Sequence, residues 1–170
     1  IDGVITTDES GFSFAERTIS SSEIVKILEE ADKNPQIKGI LIEINSPGGS
    51  AVASEEIANQ IRKMKKPKVA LIRDVGASGA YWVASAADRI VASPVSITGS
   101  IGVTASYLEF TRLMEKYGIK YEELTAGEHK DMGSPFRNLT EDEKELFRKT
   151  LDETRSYFIE KVAENRNMKY

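Results

Sequence analysis

The 170-residue sequence predicts an α/β fold of repeated βα units around a mainly parallel sheet, in a single domain. Three observations carry that prediction. Short aliphatic runs alternate with stretches whose apolar residues recur at helical spacing. Two of the runs, Gly39-Ile40-Leu41-Ile42-Glu43-Ile44 and Lys68-Val69-Ala70-Leu71-Ile72-Arg73, are nearly continuous in apolar residues, as buried parallel strands are. The connections are short, and strand, helix, strand order of this kind implies right-handed crossovers.

Ile1-Asp2-Gly3-Val4-Ile5 reads as the tail of a strand, and Gly11 to Arg17 as a polar loop. Ser20-Ser21-Ser22-Glu23 offers a capping box to a helix whose Ile24, Ile27, Leu28 and Ala31 share one face, and Asn34-Pro35 ends it. The strand over Gly39–Ile44 ends in the turn Ser46-Pro47-Gly48-Gly49, and a helix follows through Ile57, Ile61 and Met64. After the strand at Lys68–Arg73, Ser78 opens a helix of small residues running towards Ala87, and Arg89–Ala92 is a further strand. The remainder predicts a turn over Gly99–Gly102, a helix around Tyr107–Lys116, a strand near Ile119–Leu124 and a loop from Thr125 to Asn138. Thr140 and Glu143 form a second capping box, before a closing helix with Leu146, Phe147, Leu151, Phe158 and Val162 on one side.

Composition narrows the function. A chain this long buries roughly 70% of the surface its unfolded form exposes, so it needs no covalent staple. The 23 basic and 27 acidic residues are interspersed, for a net charge of -4, which gives no footprint for nucleic acid. The absence of cysteine excludes disulfides, thiolate zinc sites and a cysteine nucleophile, and a lone histidine, His129, excludes a histidine-rich metal site. No segment approaches the 18 apolar residues of a membrane span, and no signal peptide opens the chain, so a soluble chain is expected; the abrupt start in the tail of a strand at Ile1–Ile5 reads as an excised domain.

Chemistry concentrates in the two glycine-rich turns. In open α/β sheets ligands sit outside the carboxyl ends of strands, where both Asn45-Ser46-Pro47-Gly48-Gly49 and Gly76-Ala77-Ser78-Gly79-Ala80-Tyr81-Trp82 fall. Ser78, at a strand-to-helix junction, is a candidate nucleophile facing helix-terminal N–H groups. Gly49 and Gly79 are the candidate oxyanion donors, since close approach of a substrate carbonyl leaves no room for a Cβ. The hydrolase elbow G-x-S-x-G is not matched, because Ala80 stands where its second glycine belongs. Alone, Gly76–Ala80 reads more readily as close helix-to-sheet packing and Ser46–Gly49 as a plain turn; their occurrence in successive βα units favours chemistry.

For the base the residues leave His129 and Lys130, in Gly127-Glu128-His129-Lys130-Asp131. A lysine accepts a proton only when neutral, and moving an ordinary lysine pKa of about 10.4 to roughly 7 to 8 takes ~3 to 5 kcal/mol against the charged form. In an extended segment Glu128 would remain the acid opposing that shift, with His129 and Asp131 turned to the other face.

These two turns, followed by Ala86-Ala87-Asp88-Arg89-Ile90-Val91-Ala92, Thr98-Gly99-Ser100-Ile101-Gly102-Val103 and Gly127-Glu128-His129-Lys130-Asp131-Met132-Gly133-Ser134-Pro135-Phe136-Arg137, resemble the signal peptide peptidase A (protease IV) family over nearly the whole chain. The resemblance implies a ClpP/crotonase-like fold and a serine-lysine dyad protease, with Ser78 as nucleophile and Lys130 as general base. It implies no metal or cofactor, peptide substrates such as remnant signal peptides and hydrophobic segments, and a homo-oligomeric ring or dome whose neighbouring protomers contribute to one site. Ser100, Ser106 and Arg137 are then candidates for orienting the dyad. Membrane association on the extracytoplasmic side is implied as well, through an anchor segment that this sequence does not include. The sequence also lacks the Gly-rich strand and helix that usually close the domain, and Ala80 replaces a glycine common in relatives. Two alternatives remain: an acyl-CoA enzyme of the crotonase type using Glu55 or Glu56 as acid and base, and a non-catalytic, membrane-associated scaffold.

Overall fold

A computed structural model describes residues 1–8 and 17–169. Its elements, in chain order, are β1 (Val4–Thr6), β2 (Thr18–Ser20), α1 (Ser21–Lys33), β3 (Ile40–Ser46), α2 (Ala51–Lys63), β4 (Lys68–Ala77), α3 (Gly79–Ser85), β5 (Arg89–Ala92), β6 (Ile97–Gly99), α4 (Thr111–Lys116) and α5 (Glu141–Arg166). The chain divides into two compact units, Ile1–Gly102 with Ser156–Tyr170, and Val103–Arg155. All strand pairings are parallel, as the sequence predicts. The polar loop expected from Gly11 to Arg17 lies, apart from Arg17, outside the described residues.

In the larger unit β4 is the spine. It pairs with β3 along one edge and along the other with β5 at Val69–Ile72 and then β6 at Val75–Ala77, so it has neighbours up to the residue before Ser78. The alternation of β3 turns Ile42, Ile44 and Ser46 to the buried side. There they share a core with Ala70 and Ile72 of β4, Ala53, Ile57 and Ile61 of α2, and Ala80, Val83 and Ala84 of α3. Small residues let α3 approach closely: Ala80 and Ala84 are wholly buried. Trp82 closes one end of this core, stacked on Phe158 of α5 with ring centroids 4.8 Å apart and edge-on to Tyr157 at 5.9 Å.

Several expectations are corrected in this unit. The sheet is not buried on both faces: Leu41 of β3 and Val91 of β5 are 64% and 51% exposed. Ser20 does not cap α1, because its hydroxyl is spent on the Thr7 carbonyl at 3.1 Å and on the Ser22 hydroxyl at 2.7 Å. Ile27 lies on the solvent side of α1. The residues before the Gly99–Gly102 turn form β6, a strand too short to announce itself by alternation.

The smaller unit contains α4, a series of turns and the first part of α5. The helix expected from Tyr107 begins only at Thr111, where the Glu109 carboxylate takes the Thr111 N–H and so stands ahead of the first turn. No strand forms over Ile119–Leu124: those residues have no β partner among the described residues, and Leu124 is fully exposed. The second capping box is present as expected, with Thr140 N–H donating to Glu143 Oε2 at 2.9 Å and Glu143 N–H to Thr140 Oγ1 at 3.2 Å. Leu146 is exposed rather than packed.

Candidate active site

The site grows from the parallel pairing of β3 and β4, which brings the carboxyl ends of both strands side by side. Their register slips near the end, from Ile44↔Ile72 to Ser46↔Gly76. Asn45 fills the gap, its Oδ1 accepting the Val75 N–H at 3.3 Å. The two glycine-rich turns therefore leave the sheet as neighbours.

Ser78 stands at the top of β4 with φ 51° and ψ -127°, a sparsely populated conformation for a residue with a Cβ. Such a conformation costs about 1–3 kcal/mol and is held only where its surroundings over-determine it. Here the Ser78 N–H donates to the Gly99 carbonyl of β6 at 2.8 Å, and its carbonyl accepts from Tyr81 N–H at 2.9 Å and Trp82 N–H at 3.1 Å as α3 begins. The hydroxyl takes no part in capping that helix, and the residue is half-buried. Backbone is locked, and the Oγ is left for other work.

Against it packs the turn after β3. A Cβ on Gly48 would lie 2.8 Å from the Gly79 nitrogen and 2.9 Å from the Ser78 Cβ, so the two turns touch backbone to backbone only because residue 48 is glycine. Gly79 is equally constrained, since a Cβ there would run into the Ser54 hydroxyl. That same Cβ position is 3.6 Å from the Gly49 nitrogen, which puts the two candidate donor amides next to each other. Among the described residues neither the Gly49 nor the Gly79 N–H has a hydrogen-bond acceptor. Gly49 is exposed, and Gly79, the first residue of α3, is one of the donors that a helix leaves without an internal partner.

The candidate base belongs to the smaller unit. Residues 128–133 form turns within the loop expected from Thr125 to Asn138, with Lys130 N–H donating to the Gly127 carbonyl at 3.3 Å and Met132 N–H to that of His129 at 3.2 Å. Lys130 and His129 are both exposed. Asp131 is engaged elsewhere: it grips the Arg137 guanidinium, whose Nη2 also reaches Glu143 at 2.5 Å and whose Nη1 reaches it at 2.8 Å. Arg137 holds the Asp131 carboxyl below the usual range and that of Glu143 down to about 2. The guanidinium thus ties the residue after Lys130 to the start of α5. Ser100, in the larger unit, is exposed with φ 54°, and Ser106, in the smaller, is exposed on irregular chain.

The comparisons with known proteins bear on this arrangement. The model of peptidase family S49 matches residues 60–170. The chain belongs to peptidase family S49. The matched part of this S49 chain includes Ser78, Gly79 and Lys130, while the turn bearing Gly49 precedes it. A putative protease of Methanocaldococcus jannaschii is 42% identical over 85% of the chain and 47% of its own length. A putative signal peptide peptidase SppA of Enterococcus faecium is 32% identical over 99% of the chain and 50% of its own length. The chain thus spans about half the length of these relatives. In fold it is similar to a mutant ClpP1 of Listeria monocytogenes, with a TM-score of 0.54 at 18% identity over 88% of the chain and 67% of that protein. The ClpP-like architecture expected from the sequence is therefore present.

The carboxylates that an acyl-CoA enzyme would need are engaged in hydrogen bonds: Glu55 accepts from the Tyr157 hydroxyl, and Glu56 from the Ser21 hydroxyl at 2.5 Å. Among the described residues no three histidine, aspartate or glutamate side chains gather as metal ligands, and no helix is long and apolar enough to cross a membrane. What sequence reasoning missed is the support beneath the turns, namely Ser46, Ser54 and the main chain of Ile5. One signal was available: Ser46 follows Ile42 and Ile44 on the buried face, and a hydroxyl there requires a polar partner.

Proposed function

We propose that this S49 member is a serine endopeptidase in which Ser78 is the nucleophile, Lys130 the general base, and the Gly49 and Gly79 amides the oxyanion hole. The observation that carries the reading is the strained Ser78, its hydroxyl uncommitted to the helix cap, beside two adjacent glycine N–H groups without acceptors among the described residues. Ser78 Oγ attacks the scissile carbonyl carbon as its proton passes to Lys130 Nζ, and the carbonyl oxygen becomes an anion held by the two amides. Collapse of this intermediate expels the amine, which takes the proton back from Lys130. Water, deprotonated by Lys130, then attacks the ester, and the proton returns to Ser78 as the acyl group leaves.

Lys130 is exposed in the isolated chain. A base must shed its charge, so the reading requires a cover over this lysine, and we assign that cover to a neighbouring protomer of a homo-oligomer or to the bound peptide. Arg137 acts indirectly, by drawing Asp131 away from Lys130; Ser100 and Ser106 are retained as candidates for orienting the dyad. The substrates are hydrophobic peptides, remnant signal peptides among them, met at a membrane to which a further segment tethers the protein on its extracytoplasmic side.

The test is hydrolysis of a hydrophobic fluorogenic peptide across pH by the parent, Ser78→Ala and Lys130→Ala. Both variants should be inactive, and the parent rate should climb towards alkaline pH because an ammonium accepts no proton. Retention of activity by Lys130→Ala together with loss in His129→Ala would move the base to the histidine, and a rate unchanged between pH 5 and 9 would contradict a lysine base.

A further inference from the structure

The turn after β3 presents three successive amides, and among the described residues only one of them is without an acceptor. The Gly48 N–H donates to Ser46 Oγ at 3.1 Å, in buried surroundings, and the Ser50 N–H donates to the Ile5 carbonyl at 2.8 Å. Gly49 N–H remains. Its direction is set by the peptide it belongs to: in a trans peptide the C=O and the following N–H point opposite ways, and the Gly48 carbonyl accepts the Ile5 N–H at 2.9 Å. Ile5 thus holds the turn from one side by both of its main-chain groups, and Gly49 N–H faces away from it. The other restraint is the Ser46 hydroxyl. Ser46 is wholly buried, and its Oγ fixes the preceding peptide, without which Gly48, at φ 103°, is a glycine free to swing.

We propose that Ser46 is a positioning residue for catalysis, which together with the β1 main chain at Ile5 aims the Gly49 amide at the oxyanion. This rests on the reading of Gly49 as an oxyanion donor. Ser46 never meets the substrate; it acts by holding the Gly48 N–H and so the Pro47–Gly48 peptide, which leaves Gly48 less freedom to rotate the following peptide that Ile5 N–H holds by its carbonyl. It also makes β1 part of the active site, although that strand lies 54 residues or more before the part of the chain that the family model matches, from Thr6 to residue 60.

The test compares the parent with Ser46→Ala, Ser46→Cys and Ser85→Ala. Ser85 is the control: it is also wholly buried, and its hydroxyl donates to the Trp82 carbonyl, so its loss costs folding without touching either turn. With the peptide substrate, Ser46→Ala should lose about tenfold or more in kcat at an unchanged KM, less than the 10²–10³ reported by removal of a whole oxyanion donor. Its affinity for a peptide aldehyde, whose hemiacetal oxygen occupies the hole, should fall by the same factor. Ser46→Cys, close in volume and a weaker acceptor, should fall between the two, which keeps the test alive if the alanine variant fails to fold. Ser85→Ala should keep both kcat and aldehyde affinity. A kcat for Ser46→Ala equal to that of Ser85→Ala, or an aldehyde affinity unchanged, overturns the proposal while leaving the protease reading intact. A parent that neither cleaves the peptide nor takes a phosphonate on Ser78 overturns that reading, and this proposal with it.

Discussion

Gly48 and Ser78 meet so closely that a Cβ on the glycine would stand 2.9 Å from the Cβ of the serine. A methyl group there would also fall 2.8 Å from the Gly79 nitrogen, and Gly48 sits at φ 103°, where L side chains are strained. Gly48→Ala should therefore cost about 2 kcal/mol or more, since backbone on the other side cannot yield as a side-chain tip can. It should also abolish peptide hydrolysis by pushing Ser78 and Gly79 away from the turn that carries Gly49. Denaturant melts and activity on the same preparation check both.

The conformation of Ser78 predicts a separation of stability from activity. At φ 51° a glycine is at ease where alanine and serine are not. Ser78→Gly should be more stable than Ser78→Ala by about 1 kcal/mol, the relief of strain exceeding the larger unfolded-state entropy of glycine, with a melting temperature roughly 2–4 °C higher. Both variants should be inactive. A lower melting temperature for the glycine variant would mean that the serine is not strained.

Acid should loosen the smaller unit. Glu143 is held at about 2 in the folded protein, against an ordinary 4.5, by Arg137 first and the Thr140 N–H second. A carboxylate whose folded pKa is depressed contributes stability that is complete above its unfolded value and is lost as pH falls through the folded one. The loss should run from about pH 4.5 down to about 2. Asp131, lowered by the same guanidinium, adds to it in the same direction. Melting curves of the parent should fall steeply in this window, and those of Glu143→Gln should be lower at neutral pH and flatter in acid.

Trp82, Tyr157 and Phe158 form an aromatic cluster in the larger unit. Phe158 is 3% exposed and stacked on Trp82, so Phe158→Ala should destabilise by about 3–5 kcal/mol through lost transfer energy and a residual cavity. Because α3 carries Gly79 and rests on this cluster, activity should be lost at temperatures well below the parent's.

The sequence displayed whatever periodicity alone decides. Ile42 and Ile44 alternate, Ile57 and Ile61 recur at one helical turn, and Thr140 and Glu143 stand at capping-box spacing, and each forms the element expected. Ile97-Thr98-Gly99 is a strand only because the upper half of β4 needs a partner, a tertiary demand that three residues cannot reveal. Ile119–Leu124 has strand-like composition without an edge to join, so its propensity goes unused. Ser20 has capping chemistry but spends its hydroxyl on a carbonyl near β1. The candidate nucleophile and the candidate donor glycines were legible as motifs, since Ser78 and Gly49 stand at strand ends. Their mutual packing was not, because the contact of Gly48 with Ser78 and the hold of Ile5 on Gly48 join segments distant along the chain.

Whether Ser78 is a nucleophile is decided most directly by intact-mass and peptide-mapping measurement of the protein after exposure to a peptidyl phosphonate at alkaline pH. The parent should gain a single adduct mapped to Ser78, and Ser78→Ala should gain none. An unmodified parent, or an adduct on any other residue, would contradict the central claim.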